Sequence, residues 1–194
     1  VVLIMNRKAI EQKDHVKYLG ILMDQHLNWK HQISHVSKKI SRGTGILGKL
    51  KGNMNRDLLV NIYYCLVFSY LSYGVEAWGS ACLTDLSKIN VLQNKAVRII
   101  TGNQYFQIYG EPPGPLPSAD PLFKELNFLK FHDIYNFSIG KFVYLTLCKF
   151  SPQIFHDWFK YTHEVHSYAT KSSVIISQNN LFDPGVIENT YTLF

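Results

Sequence analysis

WKHQISHVSKKISRGTGILGKL, residues 29–50, places Ile33, Val36, Ile40, Leu47 and Leu50 at steps of three, four and seven. On a helical wheel these residues fall within an arc of about 100°. The stretch therefore predicts an amphipathic helix from Trp29 to Leu50, weakened and open to division at Gly43 and Gly45. The opposite side carries charge. Arg42 and Lys49 fall within about 40° of Lys38 at about 100° per residue, and His31 and His35 lie beside them.

Two more helices follow. Asn55 is an N-cap type before Arg56 to about Tyr73, whose apolar face is Leu59, Ile62, Tyr63, Leu66, Val67 and Tyr70. Tyr73-Gly74 ends it. Thr84 is placed to cap the third helix, with Asp85 in its favourable first turn. Its apolar face is Leu86, Ile89, Leu92, Ala96, Ile99 and Ile100, and Gly102 is its stop. Lys88, Lys95 and Arg98 share an arc of about 80° on this helix. Two such stripes suit phosphate tracking, because each long side chain can reach a separate backbone charge. An ordinary solvated face gives the same pattern.

Upstream, Val1 to Met5 reads as a buried strand cut from a longer parent, Arg7 to Asp14 as a charged connection, and Val16 to Met23 as a second strand. Gly20 interrupts it as a bulge or a point of close backbone approach. Downstream, the Pro/Gly-rich residues 103–120 form a linker. Asp120-Pro121 restarts a helix as N-cap and first-turn proline. It runs to about Asn127, and a longer helix spans Phe131 to Phe150. Ser151-Pro152 signals one more, Gln153 to Tyr161. Residues 162–194 read as a loose tail with one short strand at Val174-Ile175-Ile176. The organisation is thus 1–28, 29–102, 103–120, 121–161 and 162–194.

Composition narrows the function classes. A formal net charge of +6 favours an anionic partner. Cys65, Cys82 and Cys148 are odd in number and lack CxxC spacing, so they read as buried reduced thiols, as in cytosol or nucleus, and not as a disulfide or zinc framework. No secretory signal pattern opens the chain. Leu58 to Val75 carries no charge, but Asn61, Ser69, Ser72 and four tyrosines favour a buried helix over a membrane span. The fourteen acidic residues include no adjacent pair of aspartates, so the clustered carboxylates of two-metal nucleotidyl transfer are not evident. There is no phosphate-cradling glycine loop. His163-Glu164-Val165-His166 has the wrong spacing for a zinc protease. Tyr18, Trp29, Tyr70, Tyr73 and Trp78 read as core aromatics, with base stacking as the alternative.

Five segments together resemble the reverse transcriptases of non-LTR retrotransposons. Val16 to Ile21 followed by Asp24, Leu27, Asn28, Trp29 and His31 resembles a KYLG…D…L-x-W-x-x-H signature downstream of their palm. Tyr70 to Gly74 with Trp78-Gly79 resembles their LxYG…WG. Leu92 to Ile100 resembles their LQNKAxRxI helix. Pro121-Leu122-Phe123 with Leu126 and Leu129, then Val165-His166-Ser167-Tyr168 with Thr170, resemble later elements. Ser69 departs from a common Pro, Lys171 from the usual Arg, and the family's WN-containing end is not reached.

The resemblance implies a mainly α fold: an N-terminal β-hairpin remnant, a thumb-like helical bundle and a second small helical segment with a loose tail. It implies a primer-grip-like role for Tyr18, Leu19 and Gly20. It implies a grip on an RNA–DNA or DNA duplex through phosphates, with Lys38, Arg42, Lys49, Lys88, Lys95 and Arg98 as the cations. The family's catalytic Y/F-x-D-D motif and its Mg²⁺ are expected in an upstream polymerase domain, which would be a partner. This chain alone is then expected to hold no cofactor and no polymerase activity, in cytoplasm or nucleus and off the membrane. The rivals are a decayed or repurposed remnant serving as a protein-interaction module, and a single-span membrane protein built on residues 58–75.

Overall fold

The computed structural model describes residues 3–5, 8–10, 13–102, 118–161 and 175–177, the backbone alone at both short strands near the N-terminus and at 160, 161 and 175–177. The elements are β1 (Leu3–Met5), β2 (Lys8–Ile10), β3 (His15–Tyr18), β4 (Ile21–Asp24), α1 (Lys30–Leu50), α2 (Arg56–Tyr63), a π-helical turn (Tyr64–Phe68), α3 (Ser69–Ser72), α4 (Val75–Trp78), α5 (Leu83–Thr101), α6 (Asp120–Leu126), α7 (Phe131–Leu147), a 3₁₀ turn (Gln153–Phe155), β5 (Phe159–Tyr161) and β6 (Ile175–Ser177). The fold is mainly helical and begins with antiparallel hairpins.

β3 and β4 form one hairpin rather than one interrupted strand. Leu19 and Gly20 both take positive φ, 45° and 87°, the conformation of a two-residue turn whose twist matches the strands it joins. The charged connection expected at Arg7 to Asp14 contains β2, paired with β1 from Leu3↔Ile10 to Met5↔Lys8. Asp24 then anchors the entry to α1. Its carboxylate accepts hydrogen bonds from the backbone N–H groups of His26, Asn28 and Trp29 at 3.1, 3.0 and 2.8 Å. These bonds, that from Asn28 foremost, hold its pKa below the ordinary carboxylate value.

α1 is one unbroken helix. Gly43 lies where it passes the next helical segment: a Cβ there would sit 2.6 Å from the Leu66 carbonyl oxygen. From Arg56 to Ser72 the buried residues are Leu59, Tyr63, Val67 and Leu71. A strict spacing of four drifts about 40° per step on an α-helix, and the wider π turn at Tyr64–Phe68 takes up that drift.

One core serves the whole helical array. Buried residues of α1, α2 and α5 join Leu122 and Phe123 of α6 and Phe131, Ile134, Ile139 and Val143 of α7. Trp78 is fully buried, stacks on Phe131 at 5.3 Å and donates from Nε1 to the Tyr73 carbonyl. Gln93 is buried too. Its Nε2 donates to Tyr63 Oη at 3.0 Å and to the Leu129 carbonyl at 2.9 Å, and its Oε1 accepts from Phe131 N–H at 2.9 Å. Phe131 begins α7, so α5 satisfies a first-turn donor of another helix. Arg56 and Glu125 bridge α2 to α6 at 2.6 Å.

Several sequence expectations need correction. Cys65, Cys82 and Cys148 are exposed thiols, because each lies off the buried stripe or at a helix end. α5 starts at Leu83 with Cys82 at the cap position, so Thr84 lies inside the first turn and its hydroxyl meets Cys82 Sγ at 3.2 Å. Ala119 holds the cap position of α6, and Asp120 is its first residue, with Pro121 in the first turn as expected. The helix expected over Gln153 to Tyr161 is a single 3₁₀ turn followed by β5, because Phe159 is buried and residues 159–161 pair with 175–177. The strand expected at 174–176 is present as β6. Of the five aromatics read as core, Trp78 is buried, Trp29 and Tyr70 are partly buried, and Tyr18 and Tyr73 are exposed. Among the described residues, no helix is long and apolar enough to cross a membrane. His163-Glu164-Val165-His166 and most of the linker lie outside the described residues.

Candidate nucleic-acid interface

The most extensive helix–helix contact among the described residues joins α1 to α5. Lys30 and Asp85 line one groove, and Gly48 faces Ile99 further along, so the two helices run parallel. Their apolar faces meet in the core, and Lys38, Arg42, Lys49, Lys88 and Lys95 are left toward solvent.

Between the helices lies a groove of about 510 Å³, lined by Lys30, Ser34, Ser37, Lys38, Ser41 and Arg42 from α1 and by Asp85, Lys88 and Leu92 from α5. The structure thus brings together three of the six cations singled out in the sequence: Lys38, Arg42 and Lys88. Lys49 and Lys95 are exposed on the same two helices but do not line the groove, and Arg98 is half-buried. Lys30, Lys38 and Arg42 form no ion pair among the described residues. Lys88 is held at 3.0 Å from Asp85, so it reaches the groove partly neutralised.

Sequence reasoning missed Lys30 and the serines. Ser34, Ser37 and Ser41 recur at steps of three and four, a periodicity readable in advance, but nothing in the sequence said that α5 would form the other wall of a groove beside them.

The second candidate region is the β3–β4 turn. Tyr18 and Leu19 are 64% and 73% exposed. Tyr73 Oη donates to the Leu19 carbonyl at 2.6 Å, and its ring packs where a Cβ on Gly20 would lie, at 3.4 Å. The close approach expected at Gly20 is therefore made by a side chain. Gln32 ties the same hairpin to α1, its Oε1 accepting from Leu22 N–H at 2.9 Å. His35 sits behind this turn with Gln32, Tyr70 and Tyr73. Burial first, then the positive charges of Lys39, Lys17, Lys38 and Arg42, push its pKa below the ordinary histidine value. His15 and His31 stack at 4.4 Å and close the hairpin against α1. Among the described residues, no cluster of His, Cys, Asp or Glu could hold a metal ion.

Among the described residues, several in the segments of the resemblance have architectural work. Tyr73, Gly74, Trp78 and Gly79 hold the α3–α4 corner, and Gln93 pins α7. Curated homologues of the chain are RNA-directed DNA polymerases of non-LTR mobile elements, each matching about half of it. The chain is 29% identical over 106 residues to the RNA-directed DNA polymerase from mobile element jockey of Drosophila funebris, a match covering 53% of this chain and 12% of that protein. It is 28% identical over 106 residues to the Drosophila melanogaster jockey polymerase, covering 53% and 12%. It is 27% identical over 101 residues to the probable RNA-directed DNA polymerase from transposon X-element of the same fly, covering 50% and 11%. The matched stretch is thus a small part of each relative. No protein-family model matches the chain, and no solved structure does.

Proposed function

We propose that this chain is the duplex-gripping part of a retrotransposon RNA-directed DNA polymerase and does not polymerise by itself. The observation that carries the reading is the α1–α5 groove, where Lys30, Lys38 and Arg42 face solvent without an acidic partner among the described residues. Cations kept free on a rigid two-helix wall give phosphates a fixed register and carry no base information. The β3–β4 turn, pinned by Tyr73, stands on the side of α1 that carries His35 and offers the exposed Tyr18 and Leu19 as a second contact. The catalytic carboxylates and their Mg²⁺ belong, on this reading, to an upstream polymerase domain that this chain meets as a partner.

Salt-titrated binding to an RNA–DNA hybrid tests it. Each phosphate contact contributes about −0.9 to the log–log slope on a B-form duplex. The substitutions K38A, R42A and K88A together should flatten the slope by about 2 to 3 units and leave sequence preference unchanged. An unchanged slope would make the groove an ordinary solvated surface.

A further inference from the structure

A second cleft, of about 370 Å³, lies between the entry to α1, helix α4 and helix α7. It shares no residue with the α1–α5 groove. Its walls are aromatic: Trp29, Tyr135 and Trp158. Leu27 and Ala77 extend the apolar lining, and Glu76 is the charged residue among them. Glu76 is exposed and forms no hydrogen bond or ion pair among the described residues.

The walls are set in advance. Tyr135 is buried, and its ring occupies the space that a Cβ on Gly79 would need. Trp158 packs edge-on against Phe155, with ring centres 4.7 Å apart. Leu27 and Trp29 both take positive φ, 53° and 61°, which bulky side chains rarely adopt. Asp24 holds that turn through the Asn28 and Trp29 N–H groups. Backbone strain of this kind collects at ligand clamps.

We infer that this cleft receives an arginine side chain from a partner polypeptide, its guanidinium against the aromatic faces and paired with the Glu76 carboxylate. The inference stands apart from the duplex-gripping reading. Aromatic faces attract cations, and the carboxylate adds to that attraction. A base attached to phosphate would gain stacking alone, because no lysine or arginine lines the cleft among the described residues and Glu76 repels the backbone. Arginine fits better than lysine: its guanidinium is planar, weakly hydrated, and able to bond a carboxylate with two N–H groups at once. The volume lies at the small end for ligand pockets, suited to one side chain.

The chain holds three tryptophans. Trp29 and Trp158 line the cleft, whereas Trp78 is fully buried with its Nε1 bonded to the Tyr73 carbonyl. Indole N–H signals in proton–nitrogen correlation spectra of the labelled 194-residue chain therefore report the site with a control built in. The probe is arginine blocked as its N-acetyl amide. It should shift the Trp29 and Trp158 signals saturably and leave Trp78 in place. Citrulline blocked in the same way has nearly the same shape without the charge and should shift neither. Glu76→Gln, a change of charge at an exposed position, should weaken arginine binding about fivefold with the Trp78 signal unmoved. No saturable shift, an equal response to citrulline, or undiminished binding in Glu76→Gln overturns the inference. Movement of Trp78 in Glu76→Gln would show that the carboxylate serves the fold, and overturns it too. So does a stronger response to guanosine than to arginine, which would make the cleft a base-stacking site.

Discussion

Replacing Gln93 by Leu is the sharpest test of how this protein is held together. The side chain is 1% exposed and uses both ends of its amide. It donates to Tyr63 Oη and the Leu129 carbonyl and accepts from Phe131 N–H. Leucine has a similar volume, so cavity formation is minor. What remains is three polar groups stripped of a partner. Each buried orphan costs about 1–3 kcal/mol. The Leu129 carbonyl is only partly buried and can find water, which puts the total near the lower end, at about 3–5 kcal/mol. Against a typical stability of about 5–15 kcal/mol this is a large fraction. Equilibrium urea denaturation followed by circular dichroism measures it through the shift in midpoint at constant slope. The second arm is the double variant Gln93→Leu with Tyr63→Phe, which deletes one of the orphans and should recover about 1–2 kcal/mol relative to Gln93→Leu. A loss below about 1 kcal/mol in the single variant would refute the reasoning, because the groups would then be satisfied some other way.

Alkaline pH probes the same cluster. Burial raises the Tyr63 pKa to about 12. A raised folded-state value means stability fully present below the ordinary tyrosine value of 10 and lost as pH climbs toward 12. Tyr63→Phe should remove that part of the alkaline loss in parallel urea titrations. At acid pH the sign reverses: the depressed Asp24 pKa gives stability that is present above its ordinary 3.8 and lost as pH falls below it. Asp24→Asn should therefore be destabilising at pH 7 and progressively less so in acid. Gly43→Ala should cost about 1–3 kcal/mol through overpacking against Leu66, whereas Gly45→Ala, with nothing within 4 Å of the new methyl, should stabilise α1 by about 0.5–1 kcal/mol. Equal outcomes in thermal melts would mean that the helix crossing is not where the structure puts it.

The sequence by itself determined the elements whose signals are local. The 3.6-residue periodicity of Ile33, Val36 and Ile40 defined α1, Asn55 capped the next helix through Leu58 N–H, and Gly102 stopped α5 at positive φ. The five segments that resemble non-LTR reverse transcriptases also pointed to the polymerase relatives. Tertiary structure decided whatever depended on residues far apart in the chain. Phe159 entered the core and its neighbours paired with residues 175–177, so a local helix signal after Pro152 yielded a strand. Gln93 looked like one more polar residue on a helix until Phe131 and Tyr63 closed around it. The basic stripes were legible as stripes, but a wheel projection fixes only angles about one axis. Which cations share a groove depends on how two helices pack, and that is set by side chains distributed over both of them. The parallel packing of α1 and α5 placed Lys38 and Arg42 opposite Lys88 and left Lys49 and Lys95 outside, an arrangement that no local pattern could have announced.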